Sequence, residues 1–201
     1  MNAQTENLRF HLRGATADAH DLLDRAMRAA SGWTSLDDYA RFLSLQYAAR
    51  QPVERWLENN APRHLTPPPQ CHLIARDLAA LDRSLPVTKG AFTAASGPGE
   101  ALGIAWVLAG SALGNRSILK EVRRTADTLG IDKWPDAFLA DPAMLAFWND
   151  LRRVIERPAP LEEMTAASAA AAGVFDHFLA ATQPDERGPD QLAPAGHGDM
   201  R

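Results

Sequence analysis

Cysteine is almost missing from this sequence. Cys71 is the only one among 201 residues, so no internal disulfide can form and no cysteine cluster has the spacing of a zinc site. We expect this side chain to be an ordinary core or surface thiol. Disulfide-stapled secreted domains and cysteine-rich metal modules are therefore excluded.

Two further kinds of segment are missing. The chain has no long basic run, and its 21 Lys and Arg against 25 Asp and Glu give a net charge of -4, which argues against a nucleic-acid partner. No stretch approaches the roughly eighteen consecutive apolar residues of a membrane span, and the first residues do not resemble a signal peptide. We expect a soluble cytoplasmic protein that makes no membrane contact.

The sequence does contain strong helical periodicity. With 46% hydrophobic residues, the chain is long enough to bury one core. Its first apolar residues are three or four positions apart and predict one stripe along a helix that Gly32 ends. These residues are Leu8, Leu12, Ala15, Ala19, Leu22, Ala26 and Ala30.

Capping residues predict where the other helices begin and end. The predicted starts are Ser35 with Asp38 in a capping box, Pro98, Asp141 before Pro142, and Pro160. Gly130 is expected to end the long helix that begins at Pro98, and Pro52 to bend the second helix. A shorter helix, around residues 73–81, follows three consecutive prolines and ends near Pro86.

The pattern as a whole predicts an all-α fold. No segment has the alternation of a strand and no repeat is found, so we expect a single-domain irregular helical bundle over residues 1–183. Residues 184–201 have no periodicity and little to bury, which is typical of a disordered tail. In a helical bundle, cofactor sites lie between facing helices.

Among the six histidines, His20 has the surroundings best suited to a metal ligand. It belongs to a row with Thr16, Leu23 and Met27 beside the apolar stripe, where a neutral imidazole can coordinate a metal. Asp24, four residues on, can accept from the other ring nitrogen directly or through water. The competing interpretations are a packing histidine and a solvated aspartate.

Three glycines interrupt the long helix. Gly103, Gly110 and Gly114 each cost about 1 kcal/mol relative to alanine at a helical position. They let the helix backbone approach something flat and bulky, either a macrocycle or a neighbouring helix. From the residues alone, close helix packing is the better explanation.

Two blocks of the sequence resemble the heme oxygenase family. The stretch LRGATADAHDLLDRAM, residues 12–27, is similar to the family signature of Leu-x-x-Ala-Thr-x-x-x-His followed by an apolar pair and an acid. The stretch LGIAWVLAGSALGNRSILKEV, residues 102–122, is similar to the family's distal helix with its Gly-x-x-x-Gly kink. A weaker likeness covers roughly residues 8–182. The Gly-Ser-x-Leu-Gly form looks like the bacterial branch, which includes suppliers of biliverdin to phytochromes.

The resemblance implies a heme oxygenase-like fold and a specific activity. Heme would be both cofactor and substrate, and it would be cleaved oxidatively to biliverdin, carbon monoxide and ferrous iron. The reaction uses O2 and electrons supplied by a reductase or ferredoxin. The implied partners are therefore heme, that electron donor and a phytochrome that receives biliverdin.

The same resemblance implies roles for residues on the proximal side. His20 would be the proximal ligand of the heme iron, with Asp24 as the partner of its ring. Arg13 and Arg153 match positions where the family holds the heme propionates, for which the guanidinium fork is suited. Phe175, in the stretch AAGVFDHF, would contact the heme.

On the distal side, the resemblance implies that Gly110, Ser111, Gly114 and Asn115 form the catalytic face. Animal-type members have an aspartate where Ser111 stands, and many bacterial members have a glutamate where this chain has Ala109. Both acids are missing here. Ser111, Asn115 or Arg116 would then organise the distal water.

Two alternatives stay open. A protein that carries or senses heme without degrading it would keep His20 and could lack the distal acids. A helical interaction module, or a thiaminase-like relative, would use the same bundle for a different ligand, because a fold does not fix a function.

Overall fold

Six α-helices follow one another along the described part of the chain. The computed structural model describes residues 7–88 and 90–183, and the predicted tail, 184–201, lies outside them. The helices are α1 (Leu8–Ala30), α2 (Leu36–Asn60), α3 (Cys71–Ala80), α4 (Pro98–Leu129), α5 (Pro142–Ile155) and α6 (Leu161–Thr182). No strand occurs in these two ranges, and one isolated bridge pairs Asn7 with Pro158. The all-α, single-unit prediction is confirmed.

The helix ends follow the capping signals in the sequence. Ser35 Oγ accepts a hydrogen bond from the Asp38 backbone N–H at 3.1 Å, and Asp141 Oδ1 accepts from that of Ala143 at 2.9 Å. Gly130 ends α4 with a φ of 67°, a left-handed conformation that glycine adopts without a Cβ penalty.

The face that α1 buries differs from the predicted stripe. Leu8 and Leu12 are buried as expected, but beyond them the buried residues are Thr16 and Met27, while Leu22 is 48% exposed. The stripe prediction is therefore wrong past Leu12. Its later positions are mostly alanines, which offer little apolar area to bury, so the larger side chain of Met27 determines the face.

α2 continues through Pro52 as one helix, as the sequence predicts, although a proline there cannot donate the usual backbone hydrogen bond. One smaller difference concerns α3. α3 ends at Ala80, earlier than the predicted end near Pro86. Beyond it, Asp82 takes a φ of 55°, which redirects the chain before the next loop.

α6 occupies the centre of the bundle. It packs against α1, α4 and α2, while α5 packs on α4 and α3 packs on α2. Two apolar clusters fill the interior. The α4–α6 cluster includes Leu108, Trp148 and Phe178, and the α2–α3 cluster includes Met27, Trp33, Phe42 and Phe138.

Gly103 is where α4 and α6 come closest. A Cβ at this position would lie 2.0 Å from the backbone oxygen of Ala167 on α6, a separation that no side chain tolerates. Helix packing therefore explains this glycine. This close contact fixes how α4 is positioned along α6. It therefore also determines where the later turns of α4 lie.

α4 is long and apolar enough to cross a membrane by length and composition, and 44% of its most apolar window is buried inside the protein. The core helix of a soluble protein passes the same test, so this finding alone is weak evidence. The cytoplasmic location stays a prediction.

Candidate functional site

A cavity of about 720 Å³ lies between α1 and α4. Both helices pack on α6, and side chains from both apolar clusters reach the cavity wall, so it separates the two parts of the core. Its apolar lining includes Met27, Trp33, Phe42, Trp106, Leu108, Trp148 and Phe178. The volume falls within the roughly 300–1,000 Å³ typical of small-molecule and cofactor sites.

Most of the predicted site residues meet in this cavity. Those that line it are Arg13, His20 and Asp24 from α1, Gly110, Ser111, Gly114 and Asn115 from α4, and Phe175 from α6. The exceptions are Arg153 on α5 and Arg116 on α4, which is exposed and does not line the cavity. The two sequence blocks, which are far apart along the chain, thus contribute to one site.

His20 lies at the open side of the cavity, with 60% of its side chain exposed. Its Nδ1 atom is 3.6 Å from Asp24 Oδ2 and 3.8 Å from Asp21 Oδ1. Both distances exceed a direct hydrogen bond, so the predicted Asp24 contact is not made directly in this structure. The ring also meets Phe175 edge-on, with centroids 6.2 Å apart.

The two predicted propionate-binding arginines are in different surroundings. Arg13 lines the cavity and has no ion-pair partner among the described residues. The Arg153 side chain is 79% exposed, and its Nη1 donates to Asp150 Oδ1 at 2.6 Å. Since α5 presents Arg153 to solvent, its position does not support the predicted contact. Arg9, one turn before Arg13, also lines the cavity and was missed.

The space beside Gly110 and Gly114 is different from that beside Gly103. A Cβ at Gly114 would meet nothing within 4 Å, and one at Gly110 would meet only the Trp148 ring, at 3.7 Å. Contact with a neighbouring helix does not explain these two glycines. They leave the α4 wall of the cavity free of side-chain bulk.

Ser111 is hydrogen-bonded to a residue that the sequence interpretation missed. Its hydroxyl donates to the Leu108 carbonyl at 2.7 Å and accepts from Nη2 of Arg50 at 3.1 Å. Arg50 is 1% exposed and lines the cavity. Burial lowers the pKa of its guanidinium, while the charge of Glu54 raises it.

A signal for Arg50 was present in the sequence. Phe42, Gln46 and Arg50 are spaced four apart on α2, and all three line the cavity. A charged residue in register with an apolar face of a long helix is unusual unless it has a buried partner.

A second cavity, of about 850 Å³, lies where α2, residues 83–87 and the end of α6 meet. It contains none of the predicted site residues. Two arginines line it, and each is already paired: Arg41 with Asp38, and Arg83 with Asp37. The cavity between α1 and α4 is therefore the better candidate, although it is the smaller one.

The donor set of the site restricts which metal centre it could hold. Among the described residues, no group of three or more His, Cys, Asp or Glu side chains is placed to hold a metal ion. His20 could therefore bind a metal only where the other ligands arrive with it, as in a porphyrin.

Comparison with known proteins adds no assignment. No protein-family model matches this chain, and no curated protein matches it significantly. The described part of the chain is an all-helical bundle with a ligand-sized cavity that a single histidine, His20, lines. Any narrower assignment rests on the motifs and on the geometry of that cavity.

Proposed function

We propose that this protein is a heme oxygenase, with a heme oxygenase-like fold, which binds heme between α1 and α4 through His20 and opens it to biliverdin. One observation carries the proposal. The motif on α1 and the motif on α4, which in the family belong to the two faces of heme, line the same cavity. The lone histidine, the cavity volume and the aromatic walls support it.

The cavity has the chemistry that a heme requires. The walls that Trp33, Trp106 and Trp148 contribute are apolar and aromatic, which suits a flat macrocycle. Arg13 lines the cavity without an ion-pair partner among the described residues, so it is free to pair with a propionate. When bound, heme supplies both the iron at which O2 is reduced and the ring carbon that is oxidised.

The protein side chains would position and shield the ligand. His20 binds the iron, and the nearby carboxylates of Asp21 and Asp24 favour a ring orientation that leaves Nε2 for that bond. Phe175 limits rotation of the imidazole by its edge contact. Gly114 leaves the α4 wall free of side-chain bulk, because a Cβ there meets nothing within 4 Å, and this wall would give a bound heme room.

One observation favours a second function, that of a heme carrier or sensor. None of the α4 residues that line the cavity is acidic, whereas the family uses a distal carboxylate to organise water. Without a means of delivering protons, the protein would bind heme but not open it. Turnover separates these two proposals.

The test begins with titration of ferric heme into the heme-free protein, which should give a stoichiometric Soret complex. A reductase with NADPH, or a reduced ferredoxin, and O2 are then added. The heme oxygenase proposal predicts loss of the Soret band and appearance of biliverdin. A Soret band that persists, with no biliverdin, supports the carrier or sensor. If no stoichiometric complex forms, both heme proposals are wrong and the interaction module remains.

The proposed partners follow from this chemistry. They are heme, an electron-donating reductase or ferredoxin, and a phytochrome that takes up biliverdin, with cytoplasm as the proposed location. The rate of biliverdin formation, measured with each purified reductase or ferredoxin, identifies the electron donor that supports turnover.

A further inference from the structure

Arg50 is the largest side chain that is completely buried in the described part of the chain. It belongs to α2, and its guanidinium carbon lies 5.5 Å from the centre of the Phe138 ring. On the other side it contacts Ser111 of α4. A buried guanidinium is costly unless acceptors surround it, so its hydrogen bonds need to be accounted for.

That accounting leaves two nitrogens without partners. A guanidinium has five N–H donors, and one on Nη2 is used by Ser111. Nε and Nη1 have no hydrogen-bond partner in the structure. Glu54, one turn further along α2, accepts instead from the backbone N–H groups of Gln70 and Cys71 at 2.8 and 3.3 Å. Its carboxylate thus caps α3, and although its charge raises the pKa of the Arg50 guanidinium, it makes no hydrogen bond to Nε or Nη1.

Ser111 cannot serve as the donor to a ligand in this arrangement. Its single hydroxyl proton is used in the bond to the Leu108 carbonyl, and its oxygen accepts from Arg50. The expectation that Ser111 organises the distal water therefore needs a different donor. Arg50 lines the same cavity, contacts Ser111 through Nη2, and has two buried nitrogens, Nε and Nη1, whose donors are unused.

We propose that the guanidinium of Arg50 binds a small anion beside Ser111, on the α4 wall of the cavity. In the heme complex, this anion is the ligand on the α4 side of the heme; that second step rests on the proposed function. Arg50 would then stabilise negative charge where the family uses a carboxylate to organise water. A cationic donor in a buried site favours an anionic ligand over a neutral one.

The test compares ligands of different charge on the ferric and ferrous heme complexes. Fluoride affinity of the ferric protein should fall by at least about tenfold in Arg50→Met, which corresponds to losing a hydrogen bond to a charged group. Carbon monoxide affinity of the ferrous protein should change by less than about twofold, because this ligand is neutral. Arg55→Met, an exposed arginine on the same helix, is the matched control and should leave both affinities unchanged.

Two results would overturn the proposal. One is an unchanged fluoride affinity in Arg50→Met, and the other is an equal loss of fluoride and carbon monoxide binding, which indicates a change of cavity shape instead. Methionine is similar in length and commonly tolerated in place of a buried charge. If that variant does not fold, Arg50→Gln removes the charge but keeps a polar side chain, and its fluoride affinity must still fall.

A heme-free measurement separates this inference from the proposed function. In the heme-free protein, the Nε–H NMR signal of Arg50, assigned by its loss in Arg50→Lys, should shift saturably when sodium azide is added. If heme does not bind but this shift is seen, the heme oxygenase proposal fails and the anion site stands. If heme binds but there is no saturable shift and no effect on fluoride, the anion site fails alone.

Discussion

His20 and Arg50 both line the cavity, but their side chains differ strongly in burial and in their contacts with other helices. The His20 side chain is 60% exposed and makes no direct hydrogen bond to its neighbouring aspartates. Arg50 is 1% exposed and joins α2 to α4 through Ser111. Substitution at His20 should therefore change ligand binding with little effect on folding, whereas substitution at Arg50 affects both.

We predict that His20→Ala keeps the fold and loses the normal iron bond. Alanine favours a helix, and exposed substitutions of this kind change the free energy of unfolding by less than about 0.5 kcal/mol. The heme-free melting temperature should stay the same, while the ferric absorption spectrum changes. His72→Ala, at an exposed position on α3, is the control. An unaltered spectrum in His20→Ala would exclude this residue as the ligand.

Arg13 and Arg153 form a second pair for comparison, because only Arg13 lines the cavity. Arg13→Ala should weaken heme retention about two- to fivefold, as expected for a partly exposed ion pair, and should alter the ratio of biliverdin isomers. Arg153→Ala should change neither. Heme transfer to apomyoglobin measures retention. Equal effects of the two substitutions would contradict the conclusion that only Arg13 lies close enough to contact the heme.

At the scale of the helix, α4 uses its glycines for two purposes. Gly103 brings the backbone of α4 against Ala167, whereas Gly114 faces space with nothing within 4 Å. A helix built for packing alone would not need the second glycine, since alanine would fit there. One end of α4 is thus fixed against α6, and a later turn is left bare beside the cavity.

The matched substitutions Gly114→Ala and Gly103→Ala should consequently have opposite effects. The first gains about 1 kcal/mol of helix propensity, so the heme-free protein should melt at the same or a higher temperature while biliverdin formation falls. The second forces a Cβ against a backbone oxygen 2.0 Å away, and overpacking typically costs about 1–3 kcal/mol. A Gly114→Ala variant that melts lower but turns over normally would defeat the assignment of α4 to the cavity.

The sequence predicted the helix ends correctly where a single residue determines the end. Ser35, Asp141 and Gly130 each fix a helix end through their own side chain or φ angle, and each is found where predicted. The buried face of α1 was less predictable because it depends on what packs against it. Arg50 was missed for the same reason: its importance comes from Ser111, a partner on another helix.

At the scale of the whole molecule, the core is divided. The α4–α6 cluster and the α2–α3 cluster both reach the cavity wall, with Trp148 on one side and Phe42 on the other. Periodicity predicts the helices that form such clusters but not the gap between them, which depends on helix packing. A ligand that fills the cavity would contact both clusters and stabilise them together.

Heme should therefore raise the melting temperature of the protein, by an amount that grows with the logarithm of the heme concentration relative to Kd. At a heme concentration of about 100 times Kd, binding adds about 2.7 kcal/mol to the free energy of unfolding. For a chain of this size that corresponds to a rise in melting temperature of about 5–11 °C.

Gly114→Leu would fill the cavity from the α4 wall and should abolish this rise. Gly173→Leu is the matched control, because a Cβ at this α6 position also meets nothing within 4 Å and Gly173 does not line the cavity. Melting curves by circular dichroism, with and without heme, measure the shift. A shift of the same size in both leucine variants would mean that heme binds elsewhere on the protein.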